Sequence, residues 1–284
     1  MKEIVDGNFL VTINEKPDSS REISVFRDSI STTPISRWVT HYPIDLIEKI
    51  LRVKGAKYLC DEIRRDEDDS YIRKSMEVEI LGYVKPEEFV KTRILDFGCG
   101  SGSSSLVLAR MFPDADIIGC ELVKDFVEIA RERAKFHKMD QLSFLLSPDG
   151  NHLPENLGKF DFIVLSAVFE HLLPSERLQT LPLLWDCLKE NGILFISETP
   201  YRYSILESHT TGLPFLNFLP DKLAYQFAIR FSSRIDKNEN WETLLRRGIR
   251  GGTDKEILKI LRPLKGTPEV LKPGNLGISD RVEL

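Results

Sequence analysis

Three alternating glycines constrain this chain most. Gly98, Gly100 and Gly102 alternate with Cys99 and Ser101 directly after the apolar run Thr92-Arg93-Ile94-Leu95-Asp96-Phe97. Glycine has no Cβ, so it takes positive φ freely and lets the backbone approach another group closely. Ser103 to Met111, which follows, reads as a helix. A strand that turns tightly into a helix sets unpaired amides and partial positive charge beside the turn. A carboxylate or phosphate can be held at such a place.

The strand-and-helix alternation then repeats. Ala115–Glu121 reads as a strand, Val123–His137 as a helix with one apolar face, Leu142–Leu146 and Phe160–Leu165 as strands, Ser175–Lys189 as a helix and Ile193–Ser197 as a fifth strand. Pro182 is expected to kink or split the last helix, with Asn191-Gly192 as its stop. This order predicts an α/β fold, a doubly wound, mostly parallel Rossmann-like sheet covered on both faces. Right-handed crossovers leave few topologies. In such sheets ligands bind beyond the carboxyl ends of the strands, near the switch in strand order.

The flanks divide the chain further. Residues 1–91 read as an N-terminal helical extension or cap. Within it, Pro43–Lys54 places Ile44, Ile47 and Leu51 at helical spacing. The mixed-charge run Arg64–Lys74 reads as a solvated face or loop. Residues 92–284 form the expected main domain, with an insertion after strand five at about 200–252. A helix is expected at 222–231, and Thr253-Asp254-Lys255-Glu256 is a capping-box pattern opening a helix through Leu261. One or two short strands are expected after Pro263.

The glycine spacing discriminates between ligands. A dinucleotide fold wants G-x-G-x-x-G, and that pattern fails at Ser103 counted from Gly98 and at Ser105 counted from Gly100. A phosphate-binding P-loop fails because no Gly-Lys-Ser/Thr follows. Asp96-x-Gly98-x-Gly100-x-Gly102 instead resembles motif I of the class I S-adenosylmethionine (SAM)-dependent methyltransferases. Further stretches agree with that resemblance. They are Glu121 at the end of strand two, Asp149-Gly150-Asn151-His152-Leu153-Pro154 after strand three, and Ser166-Ala167-Val168-Phe169-Glu170-His171-Leu172 after strand four.

The resemblance implies SAM as cofactor and S-adenosylhomocysteine as product. It implies that Asp96 organises the loop and the methionine ammonium group, and that the backbone of Gly98, Cys99, Gly100 and Gly102 flanks the methionine and ribose. Glu121 would accept from the ribose hydroxyls, and Leu122 beside it is a further cofactor-binding candidate. Asp149 and Gly150 would meet the adenine, and Ser166 and Ala167 would line the sulfonium side.

Composition narrows the partners. The formal net charge of −5 gives no general footprint for nucleic acid, so none is expected as a partner. The four cysteines form no CxxC pair, so no metal site is expected, and free thiols fit a cytoplasmic location. No apolar signal core or membrane span is recognisable. The expected partner is a small-molecule acceptor.

Methyl transfer to a hydroxyl needs a group that takes the proton. The candidates are His171 after strand four and His209 in the insertion. Arg202, Arg246 and Arg250 are candidates for an anionic group on the acceptor, such as a sugar or lipid intermediate. O-methylation is favoured, because Ser166-Ala167-Val168-Phe169 stands where amino-group methylases of bases or glutamine carry Asn/Asp-Pro-Pro-Tyr/Phe. Three rivals stay open: a nicotinamide-dependent oxidoreductase, a SAM-binding partner protein without catalysis, and an RNA methyltransferase.

Overall fold

Residues 2–40 carry four strands, which corrects the expectation of a helical extension or cap over that stretch. In the computed structural model, which describes residues 1–264, 266 and 268–274, β1 (Lys2–Asp6), β2 (Phe9–Glu15), β3 (Arg21–Phe26) and β4 (Ser36–Thr40) form an antiparallel sheet in that order. The reason is alternation: Val11 and Ile13 on β2 pair with Val25 and Ile23 on β3, and all four are buried. β-branched residues at period two suit a half-buried strand. Helices α1 (Ile44–Lys54) and α2 (Ala56–Glu67) supply Leu46, Ile47, Ile50, Leu59 and Ile63 to the same core. The helical expectation therefore holds from residue 44 onward, and α3 (Ile72–Met76) continues it.

Two compact units divide the chain, Met1–Leu146 and Ser147–Leu284. The first also contains β5 (Arg93–Phe97), α4 (Ser103–Met111), β6 (Asp116–Glu121), α5 (Lys124–Phe136) and β7 (Leu142–Leu146). The second contains β8 (Phe160–Ser166), α6 (Pro174–Asp186) and β9 (Leu188–Ser197). Their parallel sheet has the strand order β7-β6-β5-β8-β9. Its inner strands read as nearly unbroken apolar runs because helices cover both faces.

Helix α6 runs unbroken through Pro182, contrary to the expected kink or split. Leu181 and Leu184 on either side are fully buried. That packing outweighs the one backbone hydrogen bond that proline removes. The helix ends at Asp186, so Asn191-Gly192 is not its stop but lies within β9. There Asn191 takes φ 61°, and the register jumps from Phe160↔Leu188 to Phe162↔Ile193.

After β9 come a short hairpin of β10 (Leu206–Glu207) and β11 (Leu213–Pro214), then α7 (Asp221–Phe231), α8 (Trp241–Arg246) and α9 (Asp254–Leu261). The Thr253 side chain accepts from the Glu256 amide at 3.1 Å, which caps α9 as expected. The described residues beyond Pro263 contain no strand, and the rest of that expected segment lies outside the described residues. Among the described residues no helix is long and apolar enough to cross a membrane.

Candidate active site

In the first unit the chain leaves β5 through the glycine ladder and enters α4. Gly98, Gly100 and Gly102 all have positive φ, at 74°, 55° and 90°. Gly102 shows why no side chain is allowed: a Cβ there would lie 2.7 Å from Ala130 Cβ on α5. At Gly100 a Cβ would meet nothing within 4 Å, so that side of the loop is open to a ligand. Asp96 is buried and accepts from the hydroxyls of Ser104 and Ser105, each at 2.6 Å. It thereby ties the end of β5 to the first turn of α4. Burial raises its carboxyl above the usual range, against the pull of the two hydroxyls.

Glu121, at the end of β6, is half-exposed and holds the ladder from the other side. Its Oε2 accepts from the Gly100 amide at 3.0 Å, and its Oε1 accepts from the amides of Leu122 and Val123 at 2.6 and 2.9 Å. Cys99 is buried beside these carboxylates, and desolvation raises its thiol well above its ordinary value. Such a thiol is a packing group, not a nucleophile.

Sequence reasoning missed what holds the ladder from the N-terminal side. Ser101 Oγ donates to Glu62 Oε1 on α2. Arg133 on α5 is fully buried. It donates to Ser103 Oγ at 2.5 Å and to the Glu62 carbonyl at 3.0 Å, and lies 3.5 Å from Asp66 Oδ1. Asp66 falls in the mixed-charge run read as solvated, yet it is 1% exposed. Tyr42 donates to it at 2.9 Å, and Arg110 pairs with it at 3.3 Å. The correction has a simple cause: charged residues go inside when they are paired there. Trp38, whose indole donates to Glu67 at 2.6 Å, and Tyr42 are parts of this framework.

In the second unit, Asp149 closes a turn. Its carboxylate accepts from the amides of Asn151 and His152, both at 2.8 Å, and lies 2.9 Å from His152 Nδ1. The Asn151 amide and then the His152 ring hold it below the usual carboxylate range. Gly150 follows on this turn, and its carbonyl accepts from Thr180. Ser166 ends β8, and Ala167 directly after it takes φ 53° and donates its amide to the Ser197 carbonyl at 3.0 Å.

Four residues on, the two histidine candidates come together around Glu170. The His171 and His209 rings are 5.5 Å apart, and each Nε2 faces Glu170 Oε1, at 3.7 and 3.9 Å. Glu170 is fully buried, and desolvation raises its carboxyl. Burial likewise lowers the His171 imidazole, against its hydrogen bond to the Arg246 carbonyl. No spacing rule in the sequence joins residue 209 to 170 and 171.

The arginines depart from expectation. Arg246 grips Glu176 through two contacts of 2.5 Å, and Arg250, 5% exposed, binds Asp221 at 2.8 Å and the Leu219 carbonyl at 2.7 Å. Arg202 donates to the Asn217 carbonyl. The anions expected from an acceptor are, for Arg246 and Arg250, carboxylates of the chain itself. A guanidinium inside a folded unit takes the nearest partner that spares it desolvation.

Residues 94–192 match the family model described as a methyltransferase domain. The chain is 33% identical over 143 residues to the mitochondrial ubiquinone biosynthesis O-methyltransferase of Saccharomyces cerevisiae, covering 50% of this chain and 41% of that protein. It is 35% identical over 135 residues to the 23S rRNA (uracil(1939)-C(5))-methyltransferase RlmD of a Shewanella species, covering 46% and 28%. It is 32% identical over 102 residues to the trans-aconitate 2-methyltransferase of Methylobacterium radiotolerans, covering 36% of each. The chain spans less than half the length of each of these curated relatives. Taken with the strand order and the glycine ladder, the match shows that the chain carries a class I SAM-dependent methyltransferase domain, with SAM as its cofactor.

Proposed function

We propose that this chain transfers the methyl group of SAM to a hydroxyl oxygen of a small or medium-sized acceptor with an apolar part. The carrying observation is the ladder itself, open at Gly100 and closed against Glu121. SAM supplies a methyl group already activated by its sulfonium. The chain's own work is then positioning and exclusion of water. In this reading the amides of the ladder hold the methionine and ribose parts, and Glu121 trades its bonds to amides for the ribose hydroxyls. Asp149 accepts from the adenine amino group, and Ser166 and Ala167 line the sulfonium side. The Nε2 of His171 or His209 is placed to take the hydroxyl proton.

The acceptor class is supported by the segment after β9. Tyr203, Ile205, Phe215 and Phe218 are all more than half exposed there, and Tyr203 and Phe218 lie ring to ring at 6.5 Å. Clustered apolar exposure marks a binding surface. It favours the lipid-like end of the acceptor range over a sugar. Arg202 is the proposed contact for any negative group on the acceptor, since Arg246 and Arg250 are internally paired. Oxygen as the target is supported by the printed name of the yeast relative, an O-methyltransferase. The Shewanella relative, named for rRNA, supports a second reading as an RNA methyltransferase, against which the net charge of −5 weighs. Salt-dependent RNA binding distinguishes the two.

Calorimetric titration with SAM, S-adenosylhomocysteine and NAD tests the first step. Saturable binding of both sulfur ligands and none of NAD is expected. Glu121→Ala and Asp149→Ala should each weaken SAM binding by about 1–3 kcal/mol, the scale of a hydrogen bond to a charged group. Failure of the wild-type protein to bind either sulfur ligand would overturn the proposal. SAM binding without turnover on any hydroxylated acceptor would leave a binding protein instead.

A further inference from the structure

We infer that Glu170, His171 and His209 form a site for one divalent transition-metal cation. The argument begins with the protons. His171 Nδ1 lies 2.7 Å from the Arg246 carbonyl and His209 Nδ1 lies 3.0 Å from the Arg247 carbonyl. A carbonyl only accepts, so each Nδ1 carries the hydrogen, and each ring, when neutral, presents a bare lone pair on Nε2. Both lone pairs face Glu170 Oε1, at 3.7 and 3.9 Å. That oxygen is buried and, among the described residues, receives no hydrogen bond, while Oε2 accepts from Thr199 Oγ1 at 3.0 Å. Three electron-rich atoms therefore converge with no hydrogen between them, in a place where desolvation is costly. A cation resolves this arrangement.

Nearby cationic side chains are committed elsewhere. Arg177 pairs with Glu256 at 3.0 Å and donates to the carbonyls of Leu172 and Glu170. Arg246 holds Glu176 and Arg247 holds Glu239. What those last two residues give the cluster is their carbonyls, which fix both imidazoles. An Nδ1–H bonded to a carbonyl is the usual support of a metal-binding histidine. Gly248 lets this backbone close down on the cluster: at φ 83°, a Cβ would lie 2.8 Å from His209 Nδ1 and 3.0 Å from Glu170 Cγ.

The donor set chooses the metal. Two imidazole nitrogens and one carboxylate oxygen suit Zn²⁺, Fe²⁺ or Co²⁺, whereas Mg²⁺ and Ca²⁺ prefer oxygen alone. The three ligand atoms lie within 4.8 Å of one another. Metal–ligand bonds of about 2.1 Å would bring them to about 3.4 Å apart in a tetrahedral site, a closure of a few tenths of an ångström for the two pairs that include Glu170. Three protein ligands leave a coordination position open, as in catalytic sites, for water or an acceptor oxygen. With a metal in place the two Nε2 atoms are ligands, and the metal eases loss of the hydroxyl proton in their stead.

The site stands on its own geometry, and its test needs no turnover. The full chain is treated with a chelator and titrated with Co²⁺ without SAM or acceptor, while visible absorption is followed. One equivalent per chain is expected, with the intense bands of four- or five-coordinate cobalt, and Zn²⁺ should displace it. His209→Ala and Glu170→Gln should each abolish stoichiometric uptake, and His41→Ala, at an exposed histidine elsewhere, should leave it unchanged. Circular dichroism and urea unfolding check that each variant folds. Absence of stoichiometric Co²⁺ or Zn²⁺ uptake by the wild type would overturn the site and assign Glu170 to a proton or water. So would uptake that survives both His209→Ala and Glu170→Gln. SAM binding without metal uptake would sink this inference alone, and metal uptake without SAM binding would sink the proposed function alone.

Discussion

Each unit buries a cluster of ionisable groups, and the two clusters are resolved in opposite ways. In the first, Asp66 is surrounded by donors: Tyr42, Arg110 and Arg133 all face it, and His137 Nε2 lies 3.7 Å away. Its Oδ1 lacks a hydrogen bond but lies 3.5 Å from Arg133 Nη1, so its charge is answered. In the second, Glu170 has one hydroxyl on Oε2 and two imidazole lone pairs facing Oε1. The first cluster is complete without a ligand and acts as framework. In the second, among the described residues, no cationic side chain is hydrogen-bonded to the carboxylate, and that deficit marks a place for chemistry. Burial alone distinguishes nothing here, since both carboxylates are almost fully covered.

The comparison breaks most visibly at Arg133. Arg133→Met leaves Asp66 and Glu62 buried with fewer positive partners, and should cost about 3–5 kcal/mol in urea unfolding. A loss below about 1 kcal/mol, the worth of an exposed pair, would show that the first cluster is not framework.

Acid sharpens the contrast next. Burial pushes the Asp66 carboxyl up, but the bond with His137, the charges of Arg133 and Arg110, and the Tyr42 hydroxyl together hold it below its ordinary value. A group depressed in the folded state adds stability above its unfolded value of 3.8, and that stability drains as pH falls through the folded value. Unfolding midpoints should therefore fall below about pH 4, with Asp66 contributing a slope no steeper than about 1.4 kcal/mol per pH unit, the limit for one proton. Asp66→Asn should remove that share of the slope. An unchanged acid limb in Asp66→Asn would deny Asp66 its partners.

Glu170→Gln should have the smallest effect on stability. In chelator-treated protein it should lie between no change and a gain of about 1 kcal/mol, because an unanswered charge is replaced by an amide that can donate to an imidazole. A loss of 3 kcal/mol or more would place Glu170 beside Asp66 as a paired structural charge and end the distinction.

The framework around β5 to β9 was legible because parallel strands covered on both faces leave continuous apolar runs, and helix α4 was placed on its observed bounds. The N-terminal sheet was legible in principle: Asp6-Gly7 is a turn signal, and Val11, Ile13, Ile23 and Val25 alternate. The helical pattern of residues 44–54 overshadows that alternation. Arg133 was not legible. In Ala130-Arg131-Glu132-Arg133-Ala134 it looks like any solvated helix position, and only carboxylates on α2 make it a core residue. The Glu170 cluster was half legible. Both histidines stood out, but their meeting depends on carbonyls of residues 246 and 247, and a backbone carbonyl leaves no trace in side-chain identity.

The bond from Ser101 to Glu62 bears on how this protein can be cut. The stretch that carries the family signature, 94–192, begins after every residue of α2. A fragment started there would keep Arg133 and lose Glu62 and Asp66, the two carboxylates that make its burial tolerable. The recognisable segment is therefore not a portable one. What identifies the protein and what lets it fold are different lengths of chain, and any truncation or domain graft must carry α2 along.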